Sequence, residues 1–287
     1  MIALILGARG QLGSALRALK PEDVTLVARD FSQLDLTDPK EVARTIADVN
    51  PDVVINAAAY TAVDKAEIEV ELAFRVNEFG AGSVAQGAEI HNARMIHVST
   101  DYVFDGRKSS PYRTDDSPAP LSIYGKSKLA GERAAIANCQ NCLVVRTAWL
   151  YGSEGSNFVK TMLRHMASRP AVRVVDDQVG TPTCARSLAR ALWDLARTDY
   201  RGVLHYTDTG VASWYDFACA IQEEALTQGL LGKGVSIQPI PTSAFPLPAP
   251  RPAYSVLEKG DTWAVLNRSA SHWRKNLREM LGLIRNE

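Results

Sequence analysis

Short, mostly apolar runs mark the first half of the chain. Ile2 to Leu6, Val24 to Val27, Asp52 to Asn56, Met95 to Val98 and Cys142 to Arg146 are such runs. Between them, apolar residues recur every three or four positions. A run of this length reads as a strand buried on both faces, and the intervening pattern reads as helix. Strands alternating with helices predict an α/β fold, a doubly wound parallel sheet of the Rossmann kind. Past Gly152 the texture changes. An amphipathic helix is expected from Asn157 onward (Val159, Met162, Leu163, Met166), then a short strand at Val172 to Val175. A helix over 188–195 precedes a strand at 203–206 that returns to the sheet. Helices follow from Trp214 to Leu226 and from about His272 to Ile284. Pro239 to Pro252 holds six of the fourteen prolines. That stretch reads either as a bare linker or as a pocket wall carrying Phe245 and Arg251.

Composition narrows the class. With 287 residues and 46% hydrophobic content, the chain can bury a sizeable core. Lys plus Arg and Asp plus Glu stand at 32 each, which favours neither nucleic acid nor an acidic membrane as partner. No apolar run reaches membrane-spanning length, and the first one breaks at Gly7 without a basic flank, so a cytoplasmic protein is expected. Cys139 and Cys142 form a lone pair, and the five histidines show no ligand spacing. No metal site is expected there; the pair reads as two thiols at the entry to a buried strand.

The candidate chemistry sits where strands end. Gly7-Ala-Arg-Gly10-Gln11-Leu12-Gly13 follows the first strand directly and opens a helix. That order places backbone amides and a helix N-terminus against a phosphate. Arg29 closes the second strand, where an arginine accommodates a ribose 2′-phosphate and an acid would take the 2′-hydroxyl. Asp35 and Leu36 lie where a side chain can meet adenine. Small residues after the third strand, Ala57 to Ala59 and then Tyr60 and Thr61, let a ligand approach the backbone. Residues 1–150 therefore read as a dinucleotide-binding domain, and 151–287 mostly as a smaller substrate-binding lobe. After the fourth strand come Ser99, Thr100, Asp101 and Tyr102, and further on Tyr124 and Lys128. Residues four apart share a helix face. A phenol titrates near ~10 in isolation. An ammonium beside it should lower that value and make Tyr124 a usable proton donor or acceptor, with Thr100 on the same substrate oxygen.

These segments together resemble the extended short-chain dehydrogenase/reductases, and among them the dTDP-4-dehydrorhamnose reductase family. The matching pieces are Gly7 to Gly13, Pro51 to Glu67, Ser99 to Gly106, Tyr124 to Glu132 and Arg146 to Gly152, followed by Asn157 to Leu163, Asp176 to Thr183 and Pro248 to Leu257. The resemblance implies Tyr124 as catalytic acid, Lys128 as its partner and holder of the nicotinamide ribose, and Thr100 as the hydroxyl partner. It implies cofactor contacts from Gly7, Gly10, Gln11, Leu12, Gly13, Arg29, Asp35, Leu36, Ala58, Ala59, Tyr60 and Thr61. Thr100, Asp101, Tyr102, Trp149, Asn157 and Arg251 would contact a nucleotide-sugar substrate. The cofactor implied is NADP(H), with NAD(H) left open, and the reaction is reduction of a 4-ketosugar. Family members of one subgroup bind magnesium at a dimer interface through glutamates; the positions aligned with them here hold Ala15 and Arg186. A monomer or weak homodimer without a magnesium bridge is therefore expected. Two other readings keep the fold: another sugar-nucleotide ketoreductase or epimerase, and a non-catalytic regulatory subunit like the methionine adenosyltransferase β subunit. The intact Tyr124, Lys128 and Thr100 favour catalysis over the second.

Overall fold

The computed structural model describes residues 1–285. The chain begins with β1 (Ile2–Leu6), α1 (Gln11–Ala18), β2 (Thr25–Arg29), α2 (Pro39–Val49) and β3 (Val53–Asn56). Two short helices, α3 (Val63–Ala66) and α4 (Val70–Phe74), lead through a π-helical turn, Arg75–Gly80, into α5 (Ala81–Ile90). Then come β4 (Arg94–Thr100), α6 (Ile123–Asn138) and β5 (Cys142–Thr147). The remainder runs β6 (Leu150–Tyr151), α7 (Phe158–Ser168), β7 (Ala171–Val175), β8 (Val179–Gly180), β9 (Thr183–Cys184), α8 (Ala185–Leu195) and β10 (Gly202–His205). It ends with β11 (Ala212–Ser213), α9 (Trp214–Thr227), β12 (Ser236–Ile240), α10 (Gly260–Leu266) and α11 (Trp273–Arg285).

Six strands form one parallel sheet in the order β10-β5-β4-β3-β1-β2. Alternation within β1 shows why it is buried on both faces. Ala3 and Ile5 pack with α1 and α8 (Leu12, Leu16, Leu188, Leu192), while Leu4 and Leu6 pack with α2 and α5 (Val42, Ile46, Val84, Ala88). The chain reverses its winding direction between β1 and β3, which opens a crevice beyond their carboxyl ends. A second core lies under α7, α9 and α11, around Tyr151, Met162, Phe217, Trp273 and Leu277. The chain past residue 150 contributes to both: α8 and β10 complete the sheet layer.

The proline-rich stretch departs from the linker expectation. Its first proline, Pro239, belongs to β12, which pairs in parallel with β7 and sets Pro239 opposite Val174. Proline donates nothing to a ladder, and a two-stranded sheet has edges that tolerate it. Phe245 is exposed and does not line the cleft described below. Cys139 and Cys142 are buried free thiols, and burial raises both, Cys142 to about 12.

Candidate active site

A cleft of about 780 Å³ opens beyond the carboxyl ends of β1, β3, β4 and β5. Its floor is the turn after β1. Gly7 has φ +85°, and a Cβ there would stand 2.7 Å from the Ala58 amide nitrogen. A Cβ on Gly13 would stand 2.1 Å from the Gly7 carbonyl oxygen. Only glycine permits that turn and lets α1 close against it. Gly10 caps α1 without a side-chain bond, and the first turn carries no acid, so its amides and the positive helix end are left for an anionic ligand. Gly7, Gly10, Gln11 and Leu12 line the cleft, and Gly13 lies behind them.

Arg29, Asp35 and Leu36 line one end. Beside them is Asp30, a buried acid just past β2 that no sequence motif marks. The Ser32 hydroxyl and amide donate to it at 2.6 and 2.8 Å, and Arg9 Nε lies 2.8 Å away. These contacts, the Ser32 bonds foremost, hold its carboxyl below the usual range. The group that would otherwise take a ribose 2′-hydroxyl is thus already engaged, and Arg9 joins Arg29 at this end of the cleft.

Ala58, Ala59 and Thr61 form a wall, but Tyr60 does not line it. The Tyr60 amide donates to Asn77 Oδ1 at 2.8 Å, and its hydroxyl donates to Glu69, a bond that pushes the phenol up to about 12. Asn77, on the π-helical turn, also donates to Ser127 Oγ of α6 at 2.9 Å. Tyr60 therefore acts through its backbone, tying this wall to α6.

Thr100, Asp101 and Tyr102 enter the cleft from β4, and Tyr124 and Lys128 from α6, whose cap is Ser122 accepting from the Gly125 amide at 3.1 Å. Thr100 Oγ1 donates to Asp101 Oδ1 at 3.0 Å. Asp101 is buried with Oδ2 unpartnered, and burial pushes it up to about 6. Tyr102 is raised by burial and by Asp101, and its ring meets the edge of Tyr124 at 5.6 Å.

Tyr124 corrects one expectation. Burial pushes its phenol up to about 12, with Asp101 adding to the rise and the Thr100 hydroxyl opposing it. The expected lowering by Lys128 does not win. Lys128 is itself pushed down to about 8 by burial, and its ammonium donates to the Val98 carbonyl at 2.7 Å. A phenol that stays protonated is the form that can donate to a ketone oxygen.

The remaining expected contacts divide. Trp149 lines the cleft in the left-handed region, φ +47°, an uncommon conformation for so bulky a residue. Its indole stacks on Trp214 with centroids 3.5 Å apart and planes at 5°. Trp214 also lines the cleft and has no motif around it to mark it in the sequence. Asn157 stays outside the lining. It caps α7 and donates from Nδ2 to Gln11 Oε1 at 3.0 Å, orienting a residue that does line it. Arg251 also stays outside, because both of its terminal nitrogens donate to Asp64, at 2.6 and 2.7 Å. Among the described residues no cluster of metal-ligating side chains is found.

The family model described as "RmlD substrate binding domain" matches residues 1–285. A dTDP-4-dehydrorhamnose reductase of Aggregatibacter actinomycetemcomitans is 41% identical over 96% of this chain and 97% of that protein. The crystal structure of dTDP-4-dehydrorhamnose reductase from Bacillus anthracis in complex with NADP superposes with a TM-score of 0.93 at 35% identity, covering 98% of this chain and 99% of that one. A UDP-glucose 4-epimerase from Thermus thermophilus, 19% identical over 99% of each chain, matches with a TM-score of 0.84, a likeness of fold alone.

Proposed function

The chain belongs to the dTDP-4-dehydrorhamnose reductase family, and from that premise we propose how its residues reduce the C4 ketone of dTDP-4-dehydro-β-L-rhamnose to dTDP-L-rhamnose. The observation that carries the reading is the convergence of Tyr124, Thr100 and Lys128 on the cleft that opens from the glycine turn. NADPH, when bound, supplies the hydride. The uncapped amides of α1 hold the pyrophosphate, with Arg29 and Arg9 at the adenosine end. Ala58, Ala59 and Thr61 position the nicotinamide half. Thr100 and Tyr124 both reach the ketone oxygen; Tyr124 donates the proton as negative charge develops there. Asp101, Tyr102 and Trp149 shape the sugar-nucleotide side, and Arg251 supports it from outside by fixing Asp64 and the 249–251 segment. The Tyr124 and Thr100 hydroxyls favour this catalytic reading over a regulatory one. No helix among the described residues is long and apolar enough to cross a membrane, and a cytoplasmic location is part of the proposal. The test is NADPH oxidation, followed by absorbance, with dTDP-4-dehydro-β-L-rhamnose generated in situ. Oxidation dependent on that sugar supports the reading; its absence with folded protein refutes it.

Cofactor choice gives a separate expectation. A charge-assisted hydrogen bond contributes about 1.5–3 kcal/mol. Arg29→Ala is therefore expected to cut the preference for NADPH over NADH by about tenfold or more, and Arg9→Ala to act in the same direction. Initial rates with both cofactors check this; equal ratios in wild type and Arg29→Ala would remove Arg29 from the account.

Magnesium independence is a further expectation. Mg²⁺ demands a near-octahedral set of oxygen ligands. Ala15 is a buried methyl, and Arg186, in the first turn of α8, brings a positive charge. Activity and light-scattering mass should be the same in magnesium and in excess EDTA. A fall in both on chelation would show that other oxygens rebuild the bridge.

A further inference from the structure

Trp149 is gripped more tightly than a wall residue of the cleft needs to be. Its φ of +47° is a left-handed conformation, which a bulky residue keeps only where the surroundings impose it. Those surroundings come from later in the chain. The Thr183 N–H donates to the Trp149 carbonyl at 3.1 Å. Gly180 of β8 lies against the indole: a Cβ there would stand 2.6 Å from Cε2, 2.7 Å from Nε1 and 2.9 Å from Cζ2. Cε2 is bonded to the other two atoms and recessed between them, so an approach in the ring plane would meet it last. Here it is met first, so Gly180 covers a face. Gly180 has no positive φ, and what glycine supplies there is space. Trp214, the first residue of α9, stacks on the same indole with centroids 3.5 Å apart and planes at 5°. Two groups this close to one ring cannot share a face, so the indole is sandwiched between them. The two walls are fixed to each other, because Ala212, just before Trp214, pairs with Gly180 across β11 and β8. A capping box of Ser213 and Asp216 fixes the start of α9, and the Phe158 ring backs Trp214 at 4.6 Å.

With both faces covered, Trp149 cannot serve as a stacking platform, and only its edge is left to the cleft. That edge carries one donor, Nε1–H. The Nε1 atoms of Trp263 and Trp273 are buried without partners. Trp149 Nε1 likewise donates to no described residue, but it is not buried, and its ring lines the cleft. We propose that Gly180 and Trp214 are positioning residues: they clamp Trp149 so that it meets the sugar nucleotide through its Nε1–H edge, as a hydrogen-bond donor to an oxygen. The proposal rests on the function proposed above and deepens it. The clamp freezes the donor during folding, so its rotamer freedom is not lost again on binding. The acceptor is an oxygen of the diphosphate or of the sugar, and ligands carrying one or both separate the two.

The experiment measures dTDP, dTDP-L-rhamnose and NADP⁺ binding by calorimetry, with circular dichroism of the free protein. Two parallel indoles in contact couple their excited states, so wild type should show an exciton couplet, and Trp214→Leu gives the spectrum without it. Gly180→Ala should lose the couplet, because its Cβ displaces the indole; a retained couplet would overturn the role of Gly180. Trp149→Phe keeps an aromatic face and removes the donor. It should weaken dTDP-L-rhamnose by about tenfold or more, while equal affinity would overturn the proposal. A matching loss with dTDP places the acceptor in the diphosphate, and a loss confined to dTDP-L-rhamnose places it in the sugar. Gly180→Ala and Trp214→Leu should weaken the same ligand and leave NADP⁺ unchanged. Combining either with Trp149→Phe should add little, since each removes the same donor. Additive losses, or a parallel fall in NADP⁺ affinity, would reduce both residues to holding the fold. Trp214→Leu carries the same cycle should Gly180→Ala fail to fold. A wild type that binds neither dTDP ligand would overturn the proposed function and the clamp with it. Binding by wild type that Trp149→Phe keeps in full would overturn the clamp alone.

Discussion

Tyr124→Phe is expected to reduce turnover by roughly 10²–10⁴, the usual worth of a positioned general acid. The substitution keeps the ring, and with it the edge contact to Tyr102 at 5.6 Å. The Thr100 hydroxyl keeps its bond to Asp101, so the local structure should survive. What disappears is a proton that burial holds on the phenol up to about 12. No loss of that proton to solvent is expected across the neutral range, so the wild-type rate should not fall there through ionisation of Tyr124. Steady-state rates and NADPH binding measured on both proteins check the prediction. A variant that retains near wild-type turnover would mean that water or Thr100 supplies the proton, and Tyr124 would then only shape the cleft.

Glu132→Ala is expected to destabilise the fold by about 3–5 kcal/mol, the cost of leaving one partner of a buried ion pair uncompensated. Glu132 and Arg146 are both buried, and the guanidinium meets the carboxylate in a fork, Nε to Oε1 at 2.9 Å and Nη2 to Oε2 at 2.7 Å. The Ser99 hydroxyl donates to the same Oε1. Arg146 also lies over the Phe104 ring, 5.1 Å from its centroid, and near His205, which burial and the arginine hold neutral. Nothing on that list can replace the lost negative charge. Removing both charges, as in Glu132→Met with Arg146→Met, should recover much of the loss, since a buried pair exchanged for apolar groups is often near neutral. Urea unfolding of the wild type and the two variants gives the comparison. A single-mutant loss below about 1 kcal/mol would place this pair with exposed ones. Because Ser99 precedes Thr100, the single variant should also lose activity at temperatures where it is still folded.

The parallel sheet, the glycine turn and the positions of Thr100, Tyr124 and Lys128 were legible in the residues alone. Each rests on a local rule. Unbroken apolar runs such as Ile2 to Leu6 and Cys142 to Val145 can satisfy a strand buried on both faces. The spacing of Tyr124 and Lys128 places both on one helix face whatever surrounds them. Gly7 and Gly13 announce a turn that a side chain would block, and the structure puts backbone 2.7 and 2.1 Å from where those side chains would begin. Strand β12 was not legible, because Pro239 argues against a strand unless the strand is known to lie in a two-stranded pair with open edges.

Tertiary structure decided the chemistry of these groups. The sequence by itself placed Lys128 beside Tyr124 and so predicted a lowered phenol; burial, which depends on everything packed around α6, reversed the sign. Arg251 could be read as a substrate contact until folding set it against Asp64, far away in the chain. Asp30 and Trp214 carry no motif, and only the arrangement of strand ends and helices brings them to the cleft. The slot that holds Trp149 is built from Gly180 of β8 and Trp214 of α9. Hydrogen-bond direction and desolvation depend on distances between such elements. Periodicity and turn chemistry specify each element, while the packing of elements onto one another sets those distances.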